Sequence, residues 1–129
     1  MQQVDAGFLP VLDELTGKLV GVVTDRDLCM VMAVGRDPVR VQVHDCMTAN
    51  PVCCYPDDDV RVALALMQSR QIRRVLVVDT GGRLQGVVSI SDVLRCAELA
   101  PKEICDALKT ICQPRGITQL GRSRAAVAS

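Results

Sequence analysis

Two similar heptapeptides constrain the fold of this chain more than any other feature. The stretch GVVTDRD begins at Gly21, and GVVSISD begins at Gly86. Each has an apolar run after a glycine, then a hydroxyl residue, then an aspartate three positions later. A unit of this kind that occurs twice predicts tandem supersecondary structure. The 129 residues suffice for one compact unit with a real core, but not for two large domains.

The second copy is the fuller one and predicts the order strand, helix, strand, strand, helix. PVCCY, from Pro51, is typical of a short strand, and apolar residues between Val60 and Met67 recur at helical spacing. RVLVVD and LQGVVS are predicted strands joined by the glycine-rich hairpin TGGR. Ser89 or Ser91 then caps a helix that runs from Asp92 to about Glu98.

The first copy is incomplete. When Gly21 is aligned with Gly86, Met1 falls on Met67, so the equivalent of Cys46–Leu66, a strand and most of a helix, is absent. The remainder predicts a helix end, the strands GFLPVLD and LVGVVT, and a helix from about Arg26 to Val34. The loss should leave the first sheet one strand short with an exposed edge. The segment VRVQVHDCMTAN is predicted to be a linker.

Three domain ranges follow from this alignment. Residues 1–45 form the truncated first repeat and its linker, and residues 46–99 form the complete second repeat. Residues 100–129 form a helix over about Lys102–Cys112, which starts after Pro101, and a loose tail, GRSRAAVAS.

Composition argues against several classes of protein. Lys+Arg and Asp+Glu both number 15, so the chain lacks the basic excess that nucleic-acid binding needs. Phe8 and Tyr55 are the only aromatic residues, which disfavours base stacking. No apolar run approaches the ~20 residues of a membrane span, and no signal peptide is visible at the N-terminus. We expect a cytoplasmic protein.

The cysteines and the lone histidine do not predict a metal or catalytic site. The seven cysteines lie partly in apolar periodic stretches, and no CxxC motif accompanies His44. We expect no metal, although a redox response by the cysteines stays open. No Ser-His-Asp set or glycine-rich phosphate loop is evident, so we predict no catalytic residue and no enzyme.

The hydroxyl–aspartate pair lies where a strand becomes a helix. A carboxylate there can accept hydrogen bonds from the vicinal hydroxyls of a ribose, and the helix N-terminus favours anions. The same pattern also caps helices without any ligand, so both interpretations are open.

Three longer stretches carry a family resemblance. GFLPVLDELTGKLVGVVTDRDL, IRRVLVVDTGGRLQGVVSISDVL and DCMTANPVCCYPDDDVRVALALM resemble paired CBS domains, named for cystathionine beta-synthase. The resemblance implies an α/β (α+β) fold of two tandem repeats related by a pseudo-twofold axis. Each would be a three-stranded sheet with two helices. It also implies a regulatory, Bateman-type module that needs no cofactor and binds AMP, ADP, ATP or a related adenosyl ligand in a cleft between the repeats.

The resemblance implies one competent cleft. Its residues combine the first hydroxyl–aspartate pair with the start of the second copy. The implied contacts are Val22 at the adenine pocket, Thr24 and Asp27 at the ribose, Pro51 and Val52 at the adenine wall, and Arg73 and Arg74 at the phosphate.

The second cleft is expected to be degraded. It would use Val87, Ser89 and Asp92, but the strand they need is missing, and the matching pre-strand positions, Gly7 and Phe8, offer no cation. We expect a homodimer that covers the gap and a regulated protein that the sequence does not identify. The alternative is a ligand-independent dimerisation or protein-interaction domain.

Overall fold

The computed structural model describes residues 7–114, which form two compact units that divide between Pro51 and Val52. The predicted end of the first helix and the predicted loose tail lie outside the described residues. The predicted domain ranges 1–45, 46–99 and 100–129 stay a prediction.

The first unit is built around a hairpin. Asp13 shapes the turn, because its Oδ1 accepts hydrogen bonds from the backbone nitrogens of Leu15 and Thr16 at 3.0 and 2.7 Å. Gly17 completes the turn at φ +67°, a conformation that glycine adopts readily. The elements are β1 (Phe8–Leu12), β2 (Leu19–Thr24), α1 (Asp25–Ala33), α2 (Val43–Cys46) and β3 (Thr48–Ala49).

The first sheet has three strands, in the order β1-β2-β3. The counterpart of β4 is absent from the described residues of this sheet, as predicted, but part of the predicted linker forms α2 and the unpredicted strand β3. β3 pairs antiparallel with β2, Val22 opposite Thr48 and Gly21 opposite Ala49. The third strand thus joins the side of β2 that faces away from β1, and β1 lies at an edge among the described residues.

Gly21 explains why β3 can approach so closely. A Cβ at this position would lie 2.5 Å from the Met47 sulfur and 2.9 Å from the Thr48 carbonyl oxygen, so a larger residue would not fit without a shift. Glycine is therefore required here by packing rather than by backbone conformation.

The second unit has the predicted order of elements. Its sheet runs β4-β5-β6, with β4 parallel and β6 antiparallel to the central β5. The elements are β4 (Cys53–Cys54), α3 (Val60–Arg70), β5 (Arg74–Val78), β6 (Leu84–Ser89), α4 (Ile90–Leu94) and α5 (Pro101–Ile111).

Helices α3, α4 and α5 share one apolar core with this sheet. Met67, Val75 and Ala107 are completely buried in it, and Val93 of α4 is 1% exposed. An aliphatic core of this kind is what the low aromatic content predicts.

Polar contacts fix α5 against α3. Arg61 bonds through Nε to Glu103 Oε1 at 3.2 Å and through Nη2 to the Glu98 carbonyl at 2.9 Å. At the other end of α3, Gln71 Nε2 donates to the Thr110 carbonyl at 3.1 Å. Helix α5 is therefore an integral part of the second unit.

Helix boundaries differ from the predictions by a few residues. α4 begins at Ile90 and ends at Leu94, so the prediction of Asp92–Glu98 placed both of its ends too late. Ser89, rather than Ser91, is its N-cap. The described residues contain no helix long and apolar enough to cross a membrane.

Candidate functional site

The first hydroxyl–aspartate pair forms a capping box at the junction of β2 and α1. Thr24 donates to Asp27 Oδ2 from its backbone nitrogen at 2.8 Å and from its hydroxyl at 2.9 Å. In return, the backbone nitrogen of Asp27 donates to the Thr24 hydroxyl oxygen at 3.2 Å. The helix start is satisfied by these reciprocal bonds.

The second pair repeats this geometry at the junction of β6 and α4. Ser89 donates to Asp92 Oδ2 from its backbone nitrogen at 2.8 Å and its hydroxyl at 2.6 Å, and the Asp92 nitrogen returns a bond of 3.2 Å. The hydrogen bonds from Ser89 hold the pKa of Asp92 below its ordinary value, assisted by the charge of Arg95. Both copies therefore cap a helix in the same way.

Capping uses only one oxygen of each carboxylate. Both bonds from Thr24 end on Asp27 Oδ2, which leaves Oδ1 without a hydrogen-bond partner among residues 7–114. In the second copy, Asp92 Oδ1 faces Arg95 Nη1 at 3.9 Å. The two interpretations of the motif are thus compatible, because Asp27 can cap α1 and still accept a hydrogen bond from a ligand.

Thr24 is placed to orient Asp27. It is 1% exposed, and its hydroxyl has already donated its proton to Asp27. A hydroxyl has a single proton to donate, so the Thr24 hydroxyl orients the Asp27 carboxylate and has no proton left for another acceptor. Val22, two residues earlier on β2, is also buried, with 4% exposed.

The residues at and just before the start of β1 and of β5 lie beside the capping box of the same unit. Phe8 is opposite Thr24 in the first sheet, and Arg74 is opposite Ser89 in the second. The preceding residues match as well, because Gly7 O accepts from the Asp25 nitrogen, and Arg73 O from the Ile90 nitrogen, at 3.2 and 2.8 Å. The structure therefore places Gly7 and Phe8 as the counterparts of the exposed Arg73 and Arg74.

The residues predicted for the competent cleft fall into two groups. Val22, Thr24 and Asp27 lie together in the first unit, which also includes Pro51. Val52, Arg73 and Arg74 belong to the second unit, where the Val52 carbonyl accepts from the Leu76 nitrogen at 3.2 Å. The combination of the two groups into one cleft stays a prediction, as do the roles of Val87, Ser89 and Asp92.

Sequence reasoning missed the closeness of Asp25 to Gly7. A Cβ on Gly7 would lie 3.1 Å from Asp25 Oδ2, and Asp25 Oδ1 accepts from the Arg26 nitrogen at 2.8 Å. The second copy has Ile90 at the equivalent position. Asp25 in TDRD was the available signal that the first corner has a second carboxylate, which the second corner lacks.

The described residues contain no group of three or more His, Cys, Asp or Glu side chains that could hold a metal. Burial raises the pKa of the Cys53 and Cys54 thiols above the ordinary value, and the pKa of Cys46 is raised by burial and by the negative charge of Asp27. These thiols are disfavoured as thiolates, the form in which cysteine binds metals or attacks other groups.

The chain belongs to the CBS domain family. The family model of the CBS domain matches two segments, residues 1–34 and 43–98, which correspond to the two repeats. The resemblance found in the sequence, and the fold of paired repeats with mixed helices and strands, are thereby confirmed.

Solved structures and a curated relative support this assignment. The CBS domain pair of protein MJ0100, solved with 5′-methylthioadenosine and S-adenosyl-L-methionine, is 30% identical, with a TM-score of 0.63 over 73% of this chain and 72% of that one. CBSX2 in complex with AMP is 30% identical, with a TM-score of 0.62 and 75% of each chain covered. The uncharacterized protein YlbB of Bacillus subtilis is 38% identical over 93 residues, 72% of this chain and 62% of YlbB. The chain thus spans less than two thirds of that relative.

Proposed function

We propose that this chain is a non-enzymatic regulatory module that binds an adenosine nucleotide or a related adenosyl ligand. The observation that carries the proposal is the Asp27 carboxylate, which Thr24 fixes through Oδ2 while Oδ1 remains able to accept a hydrogen bond. A carboxylate held in this way is suited to a ribose hydroxyl. Two similar CBS pairs have been solved with adenosyl ligands, which supports this ligand class.

The remaining contacts of the proposed site follow the family resemblance. Val22 and Val52 supply apolar surface for adenine, and Pro51 supplies backbone. Arg73 and Arg74 supply positive charge for a phosphate, for which guanidinium groups are well suited because they stay charged and bind oxygens in pairs. AMP, ADP and ATP are the proposed ligands, and no further cofactor is required.

We propose a single competent site because the two copies differ in charge next to the motif. The positions that correspond to Arg73 and Arg74 are Gly7 and Phe8, which carry no charge. A site that paired Asp92 with the start of the first copy would therefore lack a cation for the phosphate.

The two capping boxes share one hydrogen-bond pattern and provide a matched pair of variants. Asp27→Asn and Asp92→Asn each weaken one box, so they should destabilise their helices to a similar extent. Isothermal titration with AMP, ADP and ATP should show that Asp27→Asn weakens binding at least about tenfold, because a hydrogen bond to a charged group is lost. Asp92→Asn should bind like the wild type.

Three results would count against this site. If the wild type binds none of the three nucleotides, the proposed ligand class is wrong. Unchanged binding in Asp27→Asn would show that the Asp27 carboxylate does not contact the ligand. Equal losses of affinity in both variants would contradict the single site.

A second candidate function, homodimerisation, is favoured by the surface of α1. From Leu28 to its C-cap Val34, helix α1 has only apolar residues and a cysteine, and a helix segment that is apolar all round is normally covered. Val31 is buried, yet the α1 surface on either side of it is exposed. This surface consists of Leu28, Met30, Met32 and Val34, which are 41%, 55%, 55% and 66% exposed.

Comparison of the copies shows why this surface is particular to the first repeat. Leu28 corresponds to Val93, which is 1% exposed in a core that α3 helps to form. The described residues of the first unit contain no counterpart of α3, so Leu28 lacks there the cover that Val93 has in the second unit. We propose that a second copy of the chain covers the α1 surface.

Exchange of two methionines on this surface tests the dimer. Met30 and Met32 correspond to Arg95 and Ala97, neither of which is a large apolar residue. Met30→Arg together with Met32→Ala therefore introduces the residues of the second copy, and light scattering after size exclusion should then show a monomer. Leu15→Glu, at a hairpin residue that is 95% exposed, is the control and should remain dimeric. A monomeric wild type at all concentrations would contradict the proposal.

The cytoplasm is the proposed compartment, since all seven cysteines are free thiols in the structure and disulfides are rare there.

A further inference from the structure

The first corner, at the junction of β2 and α1, differs from the second corner, at the junction of β6 and α4, in the charged groups around its motif aspartate. Asp27 forms no ion pair among the described residues, whereas Asp92 Oδ1 lies 3.9 Å from Arg95 Nη1. The residue after the hydroxyl residue is Asp25 in the first corner and Ile90 in the second. The first motif thus has two carboxylates, and the second has one that faces a guanidinium.

Backbone hydrogen bonds hold Asp25 at the start of α1. Its nitrogen donates to the Gly7 carbonyl oxygen at 3.2 Å, and its Oδ1 accepts from the Arg26 nitrogen at 2.8 Å. Its Oδ2 lies against Gly7, where a Cβ would be 3.1 Å away, and accepts no hydrogen bond in the described part of the chain. Asp25 therefore presents an exposed and oriented carboxylate beside the motif aspartate.

The cation of the first motif is not paired with either carboxylate. Arg26 is exposed and forms no ion pair with Asp25 or Asp27. The residues that correspond to the arginines at the start of β5 are Gly7 and Phe8, which are uncharged. The negative charge of the two carboxylates is therefore not neutralised by a contact within residues 7–114.

The neighbouring Cys46 thiol experiences this negative charge. Cys46 comes two residues before Thr48, which is opposite Val22 on β2. Burial raises the pKa of the thiol above its ordinary value, and the negative charges of Asp27 and Asp45 raise this pKa further. The field of Asp27 thus extends to the groups around it.

A ribose phosphate is poorly suited to such a corner. In the proposed function, Asp27 Oδ1 accepts a hydrogen bond from a ribose hydroxyl. A phosphate on that hydroxyl would remove the donated proton and place up to about two negative charges beside the carboxylate, and like charges a few ångström apart repel each other. Dinucleotide-binding folds follow the same rule, since an acidic residue accepts from a free 2′-hydroxyl and an arginine accommodates a 2′-phosphate.

We propose that Asp25 is a specificity-determining residue that, together with Asp27, limits the ligand to adenosyl compounds with free 2′- and 3′-hydroxyls. Asp27 accepts the hydrogen bond, and Asp25 adds a second negative charge that opposes a phosphate on the ribose. This inference rests on the proposed function, because it concerns the same site. It narrows the ligand class to compounds substituted at the 5′-position and excludes their 2′- or 3′-phosphorylated relatives.

Isothermal titration of the full chain with AMP, adenosine 2′,5′-bisphosphate and adenosine 3′,5′-bisphosphate tests the proposal, because the bisphosphates differ from AMP only in the ribose phosphate. The wild type should bind AMP at least about 100-fold more tightly than either bisphosphate. Asp25→Asn keeps the shape of the side chain and removes its charge, so this preference should fall at least about fivefold.

Two controls distinguish a charge effect from a change of shape. Asp37→Asn removes a carboxylate of the same unit beyond the C-terminal end of α1, and it should keep the wild-type preference. An increase of the salt concentration from about 0.05 M to 0.5 M should weaken the preference of the wild type, because salt screens charge repulsion but not a steric clash.

The outcomes separate this inference from the proposed function. A preference for AMP that falls only in Asp25→Asn and weakens with salt supports the proposal. Similar affinities of the wild type for AMP and the bisphosphates overturn it while the proposed function stands. A preference that is unchanged in Asp25→Asn, or that falls equally in Asp37→Asn, shows that Asp25 does not set it. If the wild type binds none of these nucleotides, the proposed function fails, and this inference fails with it.

Discussion

Thr24 gives two hydrogen bonds to a single carboxylate oxygen of Asp27, one from its backbone nitrogen at 2.8 Å and one from its hydroxyl at 2.9 Å. This arrangement fixes the orientation of the carboxylate before any ligand arrives. Oδ2 serves the helix, whereas Oδ1 has no hydrogen-bond partner among residues 7–114 and is the oxygen that we propose for ligand recognition.

Removal of the Thr24 hydroxyl should affect both stability and binding. Thr24→Val keeps the shape of the buried side chain but leaves the Asp27 nitrogen without its cap, which should lower the free energy of unfolding by about 1–2 kcal/mol. Nucleotide affinity should fall as well, because Asp27 loses one of the bonds that orient it. Urea denaturation and isothermal titration measure the two effects.

Two further variants are controls for this prediction. Thr24→Ser introduces the hydroxyl residue of the second copy and should restore stability and affinity, apart from the small loss of one methyl group. Ser89→Ala should reduce stability without a change in affinity. A Thr24→Val protein with normal affinity would show that the orientation of Asp27 is not needed for binding.

The two repeated glycines should respond differently to substitution. Gly21→Ala places a Cβ 2.5 Å from the Met47 sulfur and 2.9 Å from the Thr48 carbonyl oxygen, so the free energy of unfolding should fall by about 1–3 kcal/mol. Gly86→Ala meets no atom within 4 Å and should be neutral or slightly stabilising. Thermal and urea denaturation compare the two variants, and equal losses would contradict the close approach of β3.

The sequence repeat predicted the parts of the fold that have long local patterns. The strands and helix of the second copy were found because apolar periodicity extends over Val60–Met67 and through RVLVVD. The equivalence of Gly7-Phe8 with Arg73-Arg74 also followed from the alignment, and the hydrogen bonds of the two corners agree with it.

Features that depend on distant contacts were not predictable in this way. β3 has only two residues, Thr48 and Ala49, which is too short for a periodic pattern, and it forms because it pairs with β2. The repeat marked Gly21 for alignment but did not indicate that Met47 approaches it closely. Likewise, the motif alone does not show that Asp27 uses one oxygen for capping and keeps the other available.

The hydrogen bonds and ion pair of Glu103 should make the free energy of unfolding depend on pH. Glu103 accepts from the Ala100 nitrogen at 2.8 Å and from Arg61 at 3.2 Å, and these bonds hold its pKa below the ordinary value of 4.5. A carboxyl group with a lowered pKa stabilises the folded state fully above its ordinary value. This contribution is lost as pH falls below 4.5 toward the lowered pKa, since protonation then accompanies unfolding.

Glu103→Gln tests this dependence. Urea denaturation across the acidic range should show a shallower fall in the free energy of unfolding for Glu103→Gln than for the wild type. Lys109→Gln, on the same helix, is the control and should keep the wild-type slope. Identical slopes for wild type and Glu103→Gln would show that the carboxylate does not stabilise α5.

The cysteines should separate into classes of different reactivity. Cys29, Cys105 and Cys112 are exposed, whereas Cys54 is 5% exposed and burial raises its pKa. Because the thiolate is the reactive form, the three exposed thiols should react first with an aromatic disulfide reagent, and Cys54 should react only as the protein opens. Thiol counting in concentrated guanidinium gives the total of seven as the reference.

Nucleotide titration before and after peroxide treatment tests the redox alternative. If the cysteines serve packing alone, the nucleotide affinity should be unchanged. A loss of affinity that a thiol reductant reverses would assign the cysteines a regulatory role.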